Sequence, residues 1–126
     1  TTTPAPTTPS PVCCSLLPST PLRITFSQTQ FCGPITVNSG SYVLSPVPLA
    51  EPARWKYEQS TGSQRVEFIY QCVVGFGHTL NVNRYQGTLL QCSGEYTLNS
   101  SSCTPFNIVF SGSPCCTGGG TVTVTL

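Results

Sequence analysis

The residues best equipped for chemistry are the eight cysteines, at positions 13, 14, 32, 72, 92, 103, 115 and 116. A structural zinc site would need C-x-x-C knuckles or neighbouring histidine pairs, and the chain has neither. An even number of cysteines without metal spacing points to disulfides. All eight (Cys13, Cys14, Cys32, Cys72, Cys92, Cys103, Cys115 and Cys116) are therefore expected to pair, in an oxidising setting outside the cell or at its surface. Four bridges at roughly 2–4 kcal/mol each rival the whole stability of an ordinary domain. The doublets Cys13-Cys14 and Cys115-Cys116 bracket the cysteine-bearing part of the chain. Linking one doublet to the other would hold both ends of that part together, one of many possible pairings.

Catalytic chemistry has little to work with. The single histidine, His78, lies in GFGHT, and the chain has no aspartate to orient it. A nucleophile–base pair needs such a partner, so His78 reads as an inert loop histidine. Only four glutamates are present (51, 58, 67 and 95), and no cluster of them suggests a glycosidase pair or a calcium site. The glycine run Gly118–Gly120 precedes a strand, whereas a phosphate cradle needs a following helix. No enzyme activity, cofactor or metal is expected. Aromatic side chains leave one further option, since Trp55, Tyr57, Tyr70 and Tyr85 are candidate stacking platforms for a sugar. The competing reading puts Trp55 and Tyr57 on the buried face of a strand, as core.

Composition narrows the classes further. Charged residues make up 7% of the 126, against roughly 25% in an average soluble domain. Polarity comes instead from 18 threonines and 15 serines, and the net charge is +1. So little charge excludes a nucleic-acid partner, which needs clustered Lys and Arg to displace counterions. No apolar run reaches the length of a transmembrane segment. A chain so poor in charge stays dispersed by carrying glycans, or it is built to associate. The sequence opens on threonine, with neither an initiator methionine nor a leader, which fits a processed chain or a piece of a longer one.

The elements that must position these groups are strands. Arg54–Val74 carries the only tryptophan and a concentration of the charge. With Thr61-Gly62 as a two-residue loop, the expected pairs are Glu58 with Arg65, Lys56 with Glu67, Tyr57 with Val66 and Trp55 with Phe68. Leu22–Ser27 alternates with Leu22, Ile24 and Phe26 inward. Ile35–Val37 and Tyr42–Leu44 flank Asn38–Ser41 as a hairpin, and Ser45–Pro52 is proline-studded loop or sheet edge. Thr79–Asn83 and Gly87–Cys92 read as strands, with a turn at Ser93-Gly94 before Glu95–Leu98. Phe106–Ser111 and the alternating Thr121–Leu126 complete the set. That last strand is either an interior member of its own sheet or an edge open to another chain. Strands every 8–12 residues with no helical period predict an all-β, disulfide-rich, Ig-like antiparallel β-sandwich over residues 13–126. Residues 1–12 form a Thr/Pro-rich extended arm. Its Thr1, Thr2, Thr3, Thr7, Thr8 and Ser10 are O-glycan acceptors, and Asn99-Ser100-Ser101 is an N-glycosylation sequon. As polyproline II, the eleven residues of Thr1–Pro11 reach about 34 Å, close to the diameter of about 36 Å expected for a compact chain of this length.

Doublets at the second-third and sixth-seventh cysteines would mark a hydrophobin, and here they are first-second and seventh-eighth. The opening CC, SSSCTPFNIVFSG, the second CC, the glycine run and TVTVTL instead resemble cysteine-rich β modules of secreted and surface proteins of environmental bacteria. That resemblance implies an extracellular location and disulfides, and no activity. In plan the chain also resembles subunits of extracellular filaments. The expectation is a structural, self-assembling filament or surface-layer subunit whose partners are copies of itself, joined through the arm and strand contacts. The alternatives are a carbohydrate-binding module with a polysaccharide partner, since Thr/Pro linkers attach many such modules, and a passive spacer of a secreted adhesin.

Overall fold

A computed structural model describes residues 17, 19–48, 50, 53–73, 77–98 and 106–126. The arm with its glycan acceptors, Cys13, Cys14, Cys103 and Asn99 lie outside the described residues. No helix occurs among the residues described.

Ten strands follow one another: β1 (Leu22–Phe26), β2 (Gln30–Cys32), β3 (Ile35–Val37), β4 (Gly40–Pro46), β5 (Arg54–Thr61), β6 (Gln64–Val73), β7 (Gly77–Gln86), β8 (Leu89–Leu98), β9 (Asn107–Phe110) and β10 (Val122–Thr125). Eight of them form one sheet in the order β8-β7-β6-β5-β4-β1-β10-β9, and β2-β3 is a separate ribbon. Every pairing is antiparallel. β4 is the fold line: Gly40–Leu44 pair with β1, while Ser45 and Pro46 pair with β5. Proline donates no backbone hydrogen bond, so it fits a site where a strand changes partners.

The sheet bends back on itself because each half has one apolar face. β1, β9 and β10 alternate strictly between buried and more exposed positions. Their inward residues Leu22, Ile24, Phe26, Ile108, Phe110, Val122 and Val124 share one core with Trp55, Phe68, Tyr70, Leu80 and Val82 from the other half. Phe26 meets Phe68 edge-on at 5.0 Å, and Tyr70 meets Phe106 at 6.3 Å. Burying each such side chain contributes about 1.5–3 kcal/mol, which outweighs the bend. The result is an all-β, disulfide-stapled fold, a nearly closed sheet compatible with the expected sandwich. β10 lies inside the sheet, between β1 and β9, so it is not an open edge.

Several expected details differ. The β5–β6 turn is Gly62-Ser63, because Thr61 pairs with Gln64. Gly62 has φ +59°, and a two-residue turn with glycine first takes that angle without a Cβ clash. Placing the loop at Thr61-Gly62 would ask a β-branched threonine to adopt positive φ. Glu58 therefore faces Glu67, Tyr57 faces Phe68 and Trp55 faces Tyr70. The shift moves each partner by two residues, so the apolar face survives. Lys56 bridges the two facing carboxylates, at 3.4 Å from Glu58 and 3.9 Å from Glu67, and Arg65 lies over the Tyr85 ring instead of pairing with Glu58.

Ile35–Val37 pairs with β2, not with Tyr42–Leu44. The turn expected at Ser93-Gly94 is absent, and β8 runs through it with one bulge opposite Arg84-Tyr85. Gly94 serves a close approach instead: a Cβ there would lie 2.6 Å from the Cβ of Pro114. The glycine run is likewise a packing device. Gly118, at φ +137°, leaves no room for a Cβ against the carbonyl oxygen of Thr29, beside the Phe31–Thr117 bridge.

Candidate functional site

The cysteines form the frame. Cys115 bonds to Cys92 of β8 and Cys116 to Cys32 of β2; Cys72 is disulfide-bonded as well, and no described cysteine is free. A link between the two doublets, one of the pairings the sequence left open, is thereby ruled out. Cys115 sits in a turn at φ +62°, and the two neighbouring cysteines tie the segment after β9 to two different elements. Such bonds point to an oxidising environment, extracellular or periplasmic.

The same segment is held by a polar knot that the linear pattern conceals. Gln30 is 1% exposed. Its Nε2 donates to the carbonyls of Gln28 and Gly119 at 3.0 and 2.9 Å, and its Oε1 accepts from Ser113 Oγ at 2.6 Å. A buried amide with three partners is a positioning device. In QTQF it looks like any strand glutamine.

Two of the four expected stacking residues are core. Trp55 and Tyr70 are 1% and 0% exposed, and the Trp55 indole donates to the Thr20 carbonyl at 2.6 Å. Tyr57 is half-buried, stacked on Tyr42 at 4.7 Å. Burial raises its phenol above the ordinary value, with Tyr42 adding to the effect. Tyr85 alone sits on the outer face, with the Arg65 guanidinium 4.4 Å from its ring centre. Its phenol is raised by desolvation and then by Glu67, against an opposing pull from Arg65. His78 is not a surface residue. It is fully buried in β7, and its Nδ1 shares a 2.7 Å hydrogen bond with the Tyr70 hydroxyl. Burial also pushes the Tyr70 phenol far up. Among the described residues no three His, Cys, Asp or Glu side chains converge as metal ligands, and no helix is long and apolar enough to cross a membrane.

Two surfaces remain. The first is the seam where the sheet stops short of closing. β8 and β9 are the ends of the strand order, and a cleft of about 320 Å³ runs between Glu95–Leu98 on β8 and Val109 and Phe110 of β9 with Ser111 just after it. One end is shut by Cys92–Cys115 and by Pro114 against Gly94. Tyr96 pairs with core residue Leu80 and so belongs to the inward face, yet it is 39% exposed because nothing described covers it. Val109 opposite is 41% exposed. Among the described residues each of these strands has a partner on one side only.

The second surface is the outer face of β5–β8. Its cleft of about 220 Å³ is lined by Arg54, Ile69, Gln71, Asn81, Asn83 and Glu95, with Thr79. The alternation of LNVN in β7 sends Leu80 and Val82 into the core and both asparagines outward, a signal present in the sequence for anyone weighing amides as site residues. No protein-family model, curated protein or solved structure matches the chain.

Proposed function

We propose that the chain is a structural subunit that associates with copies of itself outside the cell, as a filament or surface layer, the Thr1–Pro11 arm of one copy seating along the β8–β9 seam of the next. What supports the reading is the unclosed seam: among the described residues its two strands each pair on one side only, and nothing described covers Tyr96 on the inward face. Exposed backbone edges of this kind accept added chain.

Length and chemistry agree with that occupant. The open stretch of β8, Glu95–Leu98, spans about 13 Å, and the eleven-residue arm reaches about 34 Å as polyproline II, enough to fill the cleft and still connect back to its own body. Four of those eleven residues are proline, so the arm cannot ladder fully with both edges. It seats as a polyproline strand does, rings against an aromatic side chain, with the intervening threonines bonding one edge. The contacting patches on arm and body differ, so the contact is heterologous and propagates instead of closing. The charge-poor, hydroxyl-rich surface offers little repulsion to packing copy against copy.

The test is deletion of residues 1–11, read by negative-stain microscopy and sedimentation beside the intact glycosylated chain. Assembly that is lost on deletion, and lost also with Tyr96→Lys, supports the reading. Fibres that form unchanged without the arm remove it from the mechanism, and an intact chain that stays monomeric at high concentration overturns self-assembly altogether.

A further inference from the structure

The outer face of β5–β8 has features the assembly reading does not use. Antiparallel register lays Lys56, Ile69, Asn81 and Glu95 in one row across four strands, with Arg54, Gln71 and Thr79 in the row beside it. Asn83 continues the line of β7 towards Ser93, whose Oγ donates to its Oδ1 at 2.6 Å. The charges of this face cancel, since Arg54, Lys56 and Arg65 stand against Glu58, Glu67 and Glu95. There is accordingly no net field to draw a phosphate, a nucleic acid or a metal ion.

What the cleft does offer is donors and acceptors side by side. Apart from the 2.6 Å bond that Ser93 Oγ donates to Asn83 Oδ1, the side-chain hydrogen bonds that occupy them are long: Asn81 Nδ2 to Glu95 Oε2 and Asn83 Nδ2 to Glu67 Oε1 are both 3.4 Å, and Thr97 Oγ1 to Glu95 Oε1 is 3.5 Å. Bonds at that limit are weak and readily exchanged. Asn81 Oδ1 is buried with no hydrogen-bond donor, a deficit of the kind that occurs at functional positions. Ile69 forms an apolar patch on the lining. Neutral, amide-rich surroundings with one guanidinium, one carboxylate and a small apolar patch match a ligand whose hydroxyls both donate and accept around a ring with apolar C–H edges.

We propose that this face binds a neutral polysaccharide, holding one sugar ring between Arg54, Gln71, Asn81, Asn83 and Glu95. Binding requires neither Trp55 nor Tyr70, which are buried.

The test titrates the full chain with neutral hexasaccharides of β-1,4-glucan, β-1,3-glucan, xylan, mannan and galactan, and with a hexauronate as the anionic control, followed by calorimetry. Saturable binding of a neutral oligosaccharide that weakens at least tenfold in Glu95→Gln and in Asn81→Ala is the expected result. Trp55 fluorescence melts check that each variant is folded, and the exposed position of Glu95 makes its variant the safer of the two. No saturable binding to any neutral probe, binding to the hexauronate alone, or neutral binding indifferent to both substitutions each overturns the proposal. The readout is independent of fibre formation, since the chain lacking residues 1–11 should bind equally well.

Discussion

Replacing Gly94 by alanine probes the closed end of the seam directly. The added Cβ would lie 2.6 Å from Pro114 Cβ and 3.6 Å from both Pro114 Cγ and Cys115 Sγ. Carbon atoms in contact prefer about 3.5–4.0 Å, so β8 and the Pro114 segment must separate by about 1 Å. Cys92–Cys115 resists that movement by joining the same two segments. Overpacking of this kind costs about 1–3 kcal/mol. Alanine in a strand interior is otherwise favoured over glycine by roughly 0.5–1 kcal/mol, which leaves a net loss near 1 kcal/mol or somewhat more. The clash can be isolated by repeating the substitution in a Pro114→Gly background, where the opposing Cβ is gone. There Gly94→Ala should become neutral or mildly stabilising, with a coupling of about 1–3 kcal/mol between the two sites. Urea unfolding followed through the single buried tryptophan reads both arms of the cycle. An equal cost of Gly94→Ala in the two backgrounds would show that Gly94 is not held by Pro114 and would refute the account of how the seam is shut.

Other perturbations sort the remaining contributions. Cys32–Cys116 closes a separation of 84 residues and Cys92–Cys115 one of 23, and the chain-entropy relation gives about 4.5 and 3.4 kcal/mol as upper values. Thermal melts of the two paired Cys→Ala variants should therefore rank the first as the more damaging. Ser113→Ala removes the donor to the buried Gln30 carbonyl oxygen and should cost about 1–3 kcal/mol, whereas Gln30→Leu should cost more because it also strands the carbonyls of Gln28 and Gly119. Alkaline stability follows from Tyr70, whose folded phenol is raised well above its unfolded value of 10.0. A raised folded value means that the unfolded chain releases this proton first, so the contribution is intact below pH 10 and is lost as pH climbs above it. Urea midpoints between pH 9 and 11 should fall in the native chain and fall less in Tyr70→Phe. Equal slopes would contradict this assignment.

Much of this protein was written along the chain and could be read without a partner for any residue. Alternation at Leu22–Phe26, Phe106–Phe110 and Val122–Val124 named the strands and their buried faces, because side-chain direction in a strand has a period of two whatever the strand pairs with. The use of cysteine in bridges followed from number and spacing, and the core role of Trp55 stood open as one of two local readings. What required the folded sheet was everything that depends on which strand meets which. The turn at Gly62-Ser63 put Glu58 opposite Glu67, and β7 closing over the core took His78 out of solvent and against Tyr70. Cys115 and Cys116 parted to Cys92 and Cys32 because each bonds to whichever element is packed beside it. Both candidate surfaces are of this second kind. Asn81 and Glu95 stand 14 residues apart and become neighbours only through register, and the seam exists because eight strands curl almost, and not fully, into a closed wall. Local pattern gives a strand its faces; neighbours, chosen by packing of the whole core, give it its edges.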